Sequence, residues 1–244
     1  MKMYNSNPAF NQIKKAEYSV SYEVATYKGI ALKTLYYLAL VLGGAIGGLF
    51  LIASYPNIGI AVFSASFIVS LVSGLIALLI PKATKIAGSL YCLFQGIFVG
   101  VISMTFAAST NGIVPAALLG VITVFLIVTT LYITRIVKVN NKFMNVLFVF
   151  AISFSITMVA LYLLALFGGF EFNLPIIALI SGVSVLLATL YLFMDLEQIR
   201  MVVEGGYPKE YEWQSAFALS YTLVWLYIEL LRLIFVLTRI FGQD

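Results

Sequence analysis

The chain of 244 residues is 62% hydrophobic and only 10% charged, with a mean hydropathy of +1.06. A soluble domain covers its surface with about 25% charged residues, so a soluble fold is excluded and an all-α integral membrane protein is expected. The net charge of +4 and the pI of about 9.0 do not point to nucleic acid, because the basic residues fall in short segments between apolar runs.

Residues 1–30 form a polar arm whose Tyr, Phe and Lys suit contact with anionic headgroups, a plain solvated tail being the alternative. A hydrocarbon core about 30 Å thick needs roughly 20 apolar residues of helix. Seven runs qualify, at approximately 31–53, 58–80, 86–108, 112–134, 143–168, 174–199 and 214–240, so residues 31–244 read as one seven-helix transmembrane domain. No small-residue cleavage pattern follows the first run, and a cleaved signal peptide is not expected. The runs are continuous rather than alternating, which excludes a β-barrel.

The first run contains "GGAIGG" (Gly43, Gly44, Gly47, Gly48), and the third has Gly96 and Gly100 at GxxxG spacing. Glycines at i and i+4 let helix backbones approach closely, here chiefly within one chain, with a homodimer seam as the lesser reading. The chain is therefore expected as a monomer or weak oligomer. Pro115 and Pro175 stand in first turns, where a missing N–H costs little. Serines and threonines in runs two to five can bond back to their own helix carbonyls and do not by themselves mark a permeation path.

Orientation follows from lysine and arginine. The arm and first turn hold Lys2, Lys14, Lys15, Lys28 and Lys33, and the segment after the second run holds Lys82 and Lys85. Arg135, Lys138 and Lys142 follow the fourth run, and Arg200 and Lys209 the sixth; the three opposite segments contain none. The positive-inside rule puts this side, and the N-terminus, in the cytoplasm. With seven spans the C-terminus then lies outside.

Cys92 is the single cysteine, so no intrachain disulfide forms; in its apolar run it reads as a small buried side chain. There is no histidine. That excludes His-dependent zinc sites, Ser-His and Cys-His catalysis, including a rhomboid-type protease, and histidine as a pH sensor. No GxSxG or P-loop occurs, and no lysine in the seventh run could hold retinal. An enzyme is not expected, and no cofactor.

Acid appears inside or at the edge of only the last two runs: Asp195 and Glu197 in "YLFMDLEQIR", and Glu229 in "LYIELLRL". A charge at the middle of a spanning helix costs roughly 2.5–3.5 kcal/mol on insertion scales and normally marks a functional site. The two helices are consecutive and antiparallel. Two carboxylates brought together in low dielectric share a proton and titrate as a unit, and when deprotonated they offer oxygens to a hard cation. Arg232, at i+3 from Glu229, is the candidate charge partner. Glu197, nearer the interface, is a secondary candidate that reads more simply as a solvated or snorkelling residue. Asp195 precedes Pro208 by thirteen residues and Glu229 follows it by twenty-one. Unbroken helices would therefore leave the acids about 12 Å apart along the axis. They meet only if "KEYEWQ", with Glu210, Glu212 and Trp213, leaves the line of the seventh helix and lies along the membrane surface.

With "MDLEQIR" closing the sixth run, "GGYPKEYEW" after it and "LYIELLRLIFVLTRIFG" forming the seventh, the chain resembles the Bax inhibitor family (the transmembrane BAX inhibitor motif proteins), and within it the bacterial YccA-like branch. "NPAFNQ" and "LFQGIFVGVIS" add to the likeness, which covers nearly the whole chain. The resemblance implies a bundle with helix 7 central, in a bacterial cytoplasmic membrane. It also implies a proton-sensitive pair of acids on helices 6 and 7 controlling a calcium leak, which fall here on Asp195 and Glu229. The family's usual Asp on helix 7 is Glu in this chain, and the basic residue that some members carry on helix 2 is missing. The expected function is a pH-sensitive calcium or cation leak, with calcium as the permeant ion held transiently at Asp195 and Glu229. The alternative is a non-conducting regulator or adaptor that modulates a membrane-anchored AAA protease or a stress response through the N-terminal arm. The bilayer is the one partner common to both readings.

Overall fold

A computed structural model describes residues 23–242; most of the polar arm, including "NPAFNQ" and Lys2, Lys14 and Lys15, lies outside them. Among the described residues the chain folds into seven long helices: α1 (Tyr27–Ser54), α2 (Gly59–Leu79), α3 (Thr84–Ser109), α4 (Ile113–Ile133), α5 (Asn141–Leu166), α6 (Leu174–Glu204) and α7 (Tyr211–Phe241). Their starts follow from local chemistry. Side-chain oxygens of Thr26, Asn140 and Asn173 accept from backbone N–H groups in the first turns of α1, α5 and α6, satisfying donors that would otherwise be orphaned.

Six helices, α1 to α6, are long and apolar enough to cross a membrane. Their outer faces carry large exposed apolar side chains such as Phe50, Ile60, Leu79 and Leu166, as a lipid-facing surface requires. The seventh, α7, is different. It is the helix with the most buried residues, from Glu212 to Val236, and it packs against α1, α2, α3, α4 and α6. The expectation of a central helix 7 is met. Only α5 does not touch it: α5 packs against α6 alone, with Leu147 its one buried residue.

The helices share a common end. Val24 bridges to Pro208, Lys85 lies over the Trp213 ring, and Tyr132 reaches Glu197. The starts of α1, α3 and α7 therefore meet the ends of α4 and α6, on the side that carries the lysines and arginines of the connecting segments.

Packing of α1 on α3 depends on glycine, but not on all four of "GGAIGG". A Cβ built on Gly44 would stand 2.1 Å from the Leu93 carbonyl oxygen, and one on Gly96 would stand 2.1 Å from that of Val41. Gly43 and Gly47 face open space. Helix α2 presents a buried stripe of Ser66, Ser70, Ser73, Gly74 and Ala77 to the bundle. The Ser70 and Ser73 hydroxyls donate to carbonyls of their own helix at 2.9 and 2.6 Å, so the stripe serves close packing.

Gly96→Ala is expected to destabilise the bundle by about 1–3 kcal/mol through forced separation of α1 and α3, whereas Gly43→Ala leaves stability unchanged or slightly raised. Thermal unfolding of the two variants in the same detergent tests the contrast; equal melting temperatures would show that the crossing does not limit stability.

Candidate functional site

Asp195 and Glu229 line one cavity of about 980 Å³ walled by α5, α6 and α7, with Leu78 of α2 at its edge. Because α5 touches only α6, its inner face stands away from α7 and leaves this space. Gln198, Thr222, Trp225 and Arg232 share the lining with the two acids.

The carboxyls do not pair with each other. Helix α7 runs without interruption from Tyr211, so "YEWQ" of "KEYEWQ" stays in its line and the surface segment that would have brought the acids level is not formed. Thr222 is the α7 residue within hydrogen-bonding reach of Asp195. Glu229 lies seven residues further on, about 10 Å along the axis. Asp195 is 5% exposed, and its Oδ2 has no hydrogen-bond partner among the described residues. Glu229 is held differently. Its Oε2 accepts from Arg232 Nη1 at 3.2 Å, one turn along the same face. Arg232 is about one-third exposed, with its partner buried. One acid in the cavity is thus locally neutralised and the other is not.

Glu197 departs from its expected solvated role. It is buried, its Oε2 accepts from the Tyr132 hydroxyl at 2.6 Å, and its Oε1 accepts from Arg200 Nη2 at 2.5 Å. It ties the end of α4 to α6 and lines a smaller depression beside Arg135 and Lys138, not the main cavity. No group of three or more Cys, Asp or Glu side chains able to hold a metal ion occurs among the described residues.

The most heavily bonded acid is Glu212, expected at the membrane surface and found 1% exposed. Its Oε1 accepts from the Thr26 backbone N–H at 2.8 Å and from the Thr26 hydroxyl at 3.1 Å, while its Oε2 pairs with Lys33. Lys33 and Lys85 both stand over the Trp213 ring, at 5.1 and 5.3 Å from its centroid, close enough for cation–π attraction. A Cβ on Gly29 would overlap the Glu212 carboxyl, so only glycine lets α1 come this near. Beside it the Ala25 N–H donates to the Tyr207 carbonyl, the Lys209 N–H to the Glu23 carbonyl, and the Lys209 and Glu23 side chains pair. Residues 23–33 are clamped to the α6–α7 connection.

Two of these residues had a signal in the sequence. Thr222 follows Pro208 by fourteen residues and Asp195 precedes it by thirteen, so the count that sets Glu229 out of reach also selects Thr222 as the level neighbour. Lys33 is a charge just inside an apolar run, which demands a partner, but nothing local names one 179 residues away.

The family model described as Bax inhibitor 1 like matches residues 7–239. No curated protein matches the chain.

Glu212→Ala is expected to cost about 3–5 kcal/mol, because it leaves Lys33 and the Thr26 donors without their acceptor in a protein-enclosed site. Glu23→Ala, which removes only an exposed pair with Lys209, leaves the melting temperature unchanged. Unfolding curves in one detergent decide between them. Similar losses for the two would mean the buried pair is no more important than the exposed one.

Proposed function

The chain belongs to the Bax inhibitor 1 like family, a multi-pass integral membrane protein, and from that membership and its cavity we propose a pH-sensitive calcium or cation leak. The proposal includes seven spans, with α7 as the enclosed seventh, and the lysine- and arginine-bearing end in the cytoplasm. It places the chain in a bacterial cytoplasmic membrane, as a member of the YccA-like branch.

One observation carries the reading: two carboxylates on different helices line the same cavity inside a bundle. Deprotonated, Asp195 draws a cation into that space, while deprotonated Glu229 keeps the charge of Arg232 neutralised. Protonation removes the attraction, and at Glu229 it also releases Arg232, whose positive charge then opposes cation entry. Arg232 fills the role of the basic partner that α2 lacks. Two carboxylates about 10 Å apart along the axis fall far short of the six to eight oxygens of a lasting calcium site, so an ion stays briefly and passes on. The separation also means that each acid titrates with its own neighbours rather than as a unit sharing one proton.

The second reading is a non-conducting regulator of a membrane-anchored protease that acts through the arm. The clamp favours it to this extent: residues 23–33 are held at the α6–α7 connection, so a partner that pulls on them would be felt by α7.

Calcium entry into proteoliposomes, with a dye-leakage control, is expected to rise several-fold from acidic to mildly alkaline pH. Asp195→Asn and Glu229→Gln should each lower the alkaline flux and flatten the profile. A fully pH-sensitive Glu229→Gln would sink the gating mechanism. Absence of flux above empty vesicles would remove the leak altogether. Deletion of residues 1–22, which spares the clamp, leaves flux intact if the chain is a leak and abolishes protease regulation if it is an adaptor.

A further inference from the structure

The cavity is far larger than a metal ion needs, and its chemistry is concentrated at one end. Its volume of about 980 Å³ lies within the range of pockets that enclose organic molecules, roughly 300–1,000 Å³. Asp195 lines its α6 end as a carboxylate only 5% exposed, and the more enclosed of its oxygens, Oδ2, has no protein partner among the described residues. Around it stand aromatic rings. Tyr191 is one turn before Asp195 on the same face of α6, and its ring meets that of Trp225 edge to face, with centroids 5.8 Å apart. Tyr221, beside Thr222 on α7, completes this part of the lining. Faces of Tyr and Trp attract cations within about 6 Å of the ring centroid, most strongly when water is excluded. At the other end Arg232 already neutralises Glu229, so the uncompensated negative charge of a deprotonated cavity is that of Asp195.

A carboxylate among aromatic rings in an apolar cavity suits a cation that carries its own hydrocarbon and sheds little hydration on entry. A small, strongly hydrated divalent ion, which needs several oxygens to replace its water, is held there only in passing. We propose that the Asp195 end of the cavity binds a bulky organic cation, of the quaternary ammonium or phosphonium class, with Asp195 as counter-ion and Tyr191, Tyr221 and Trp225 as the aromatic wall. The assignment rests on the reading of Asp195 as the cation-facing acid of the proposed pathway, but it requires no conduction. The side where α5 stands away from α7 admits such a molecule from the bilayer, where lipophilic cations concentrate.

The test uses the full chain in lipid nanodiscs at mildly alkaline pH, with empty nanodiscs of the same lipid as reference. Tetraphenylphosphonium and tetraphenylborate have nearly the same shape and opposite charge, and because the interfacial dipole potential makes lipid take up the anion more strongly, each is compared with its own uptake by empty nanodiscs. Protein-dependent binding of the phosphonium and not of the borate is expected. Asp195→Asn should weaken it by about tenfold or more, as loss of a buried charge partner does, and Trp225→Leu should weaken it several-fold. Equal binding of the two ions, phosphonium binding that survives Asp195→Asn, or no binding above empty nanodiscs would overturn the proposal. The wild-type comparison of the two ions stands even if a variant fails to fold. Phosphonium binding without calcium flux would remove the leak and keep this site; flux without phosphonium binding would do the reverse.

Discussion

A helix bearing Glu212, Glu229, Arg232 and Arg239 cannot face hydrocarbon at acceptable cost, and the enclosure of α7 is the constraint from which the rest of the bundle follows. The other helices are ordinary membrane helices, apolar outside and nearly free of charge within. Five of them, α1 to α4 and α6, pack around α7, and α1 supplies the partner of one of its charges. Glu212 receives Lys33 and Thr26 from α1 and its cap, and Glu229 receives Arg232 from its own helix. Buried charges in proteins persist when paired and hydrogen-bonded, and these two acids meet that condition.

Close approach seals the enclosure on one side. With no hydrophobic drive between helices in lipid, contact rests on van der Waals packing and on short side chains. Gly44 and Gly96 bring α1 against α3, Gly29 brings α1 against the Glu212 carboxyl, and the serine stripe of α2 presents little bulk. The aromatic cluster of Tyr37, Tyr91, Trp213 and Phe217 fills the space where α1, α3 and α7 meet, ring edge to ring face. The firmest packing thus lies on the α1–α3 side. On the other side α5 touches only α6, and the bundle encloses a cavity instead of a core.

The proposed function uses that looser side. A tightly packed interior leaves no room for an ion or ligand, whereas the gap between α5 and α7 exposes Asp195, Glu229 and Arg232 to a shared space. The two acids there are not equivalent. Glu229 has an intrahelical cation, Asp195 has only Thr222 beside it, and a difference in charge compensation separates what each can do. Coupling between the cavity and the arm has a physical route as well, since α7 carries Glu212 near its start and Glu229 past its middle on one continuous helix.

Composition and run length were enough to determine the membrane class, the positions of the helices and the gathering of basic residues on alternate connections, because those follow from the transfer of side chains between water and lipid, one residue at a time. Asp195, Glu229 and Arg232 stood out for the same reason: a charge inside an apolar run is conspicuous without any neighbour. Even the separation of the two acids was contained in their distances from Pro208, provided α7 stayed unbroken, and it does. Pairing across the bundle was not legible. The Lys33–Glu212 pair, the Tyr132–Glu197 bond and the choice of Gly44 over Gly43 as the crossing point depend on how helices rotate about their axes and which faces meet. Only the tertiary structure decided these, because helix rotation is set by the simultaneous packing of all neighbours and leaves no local mark in the chain.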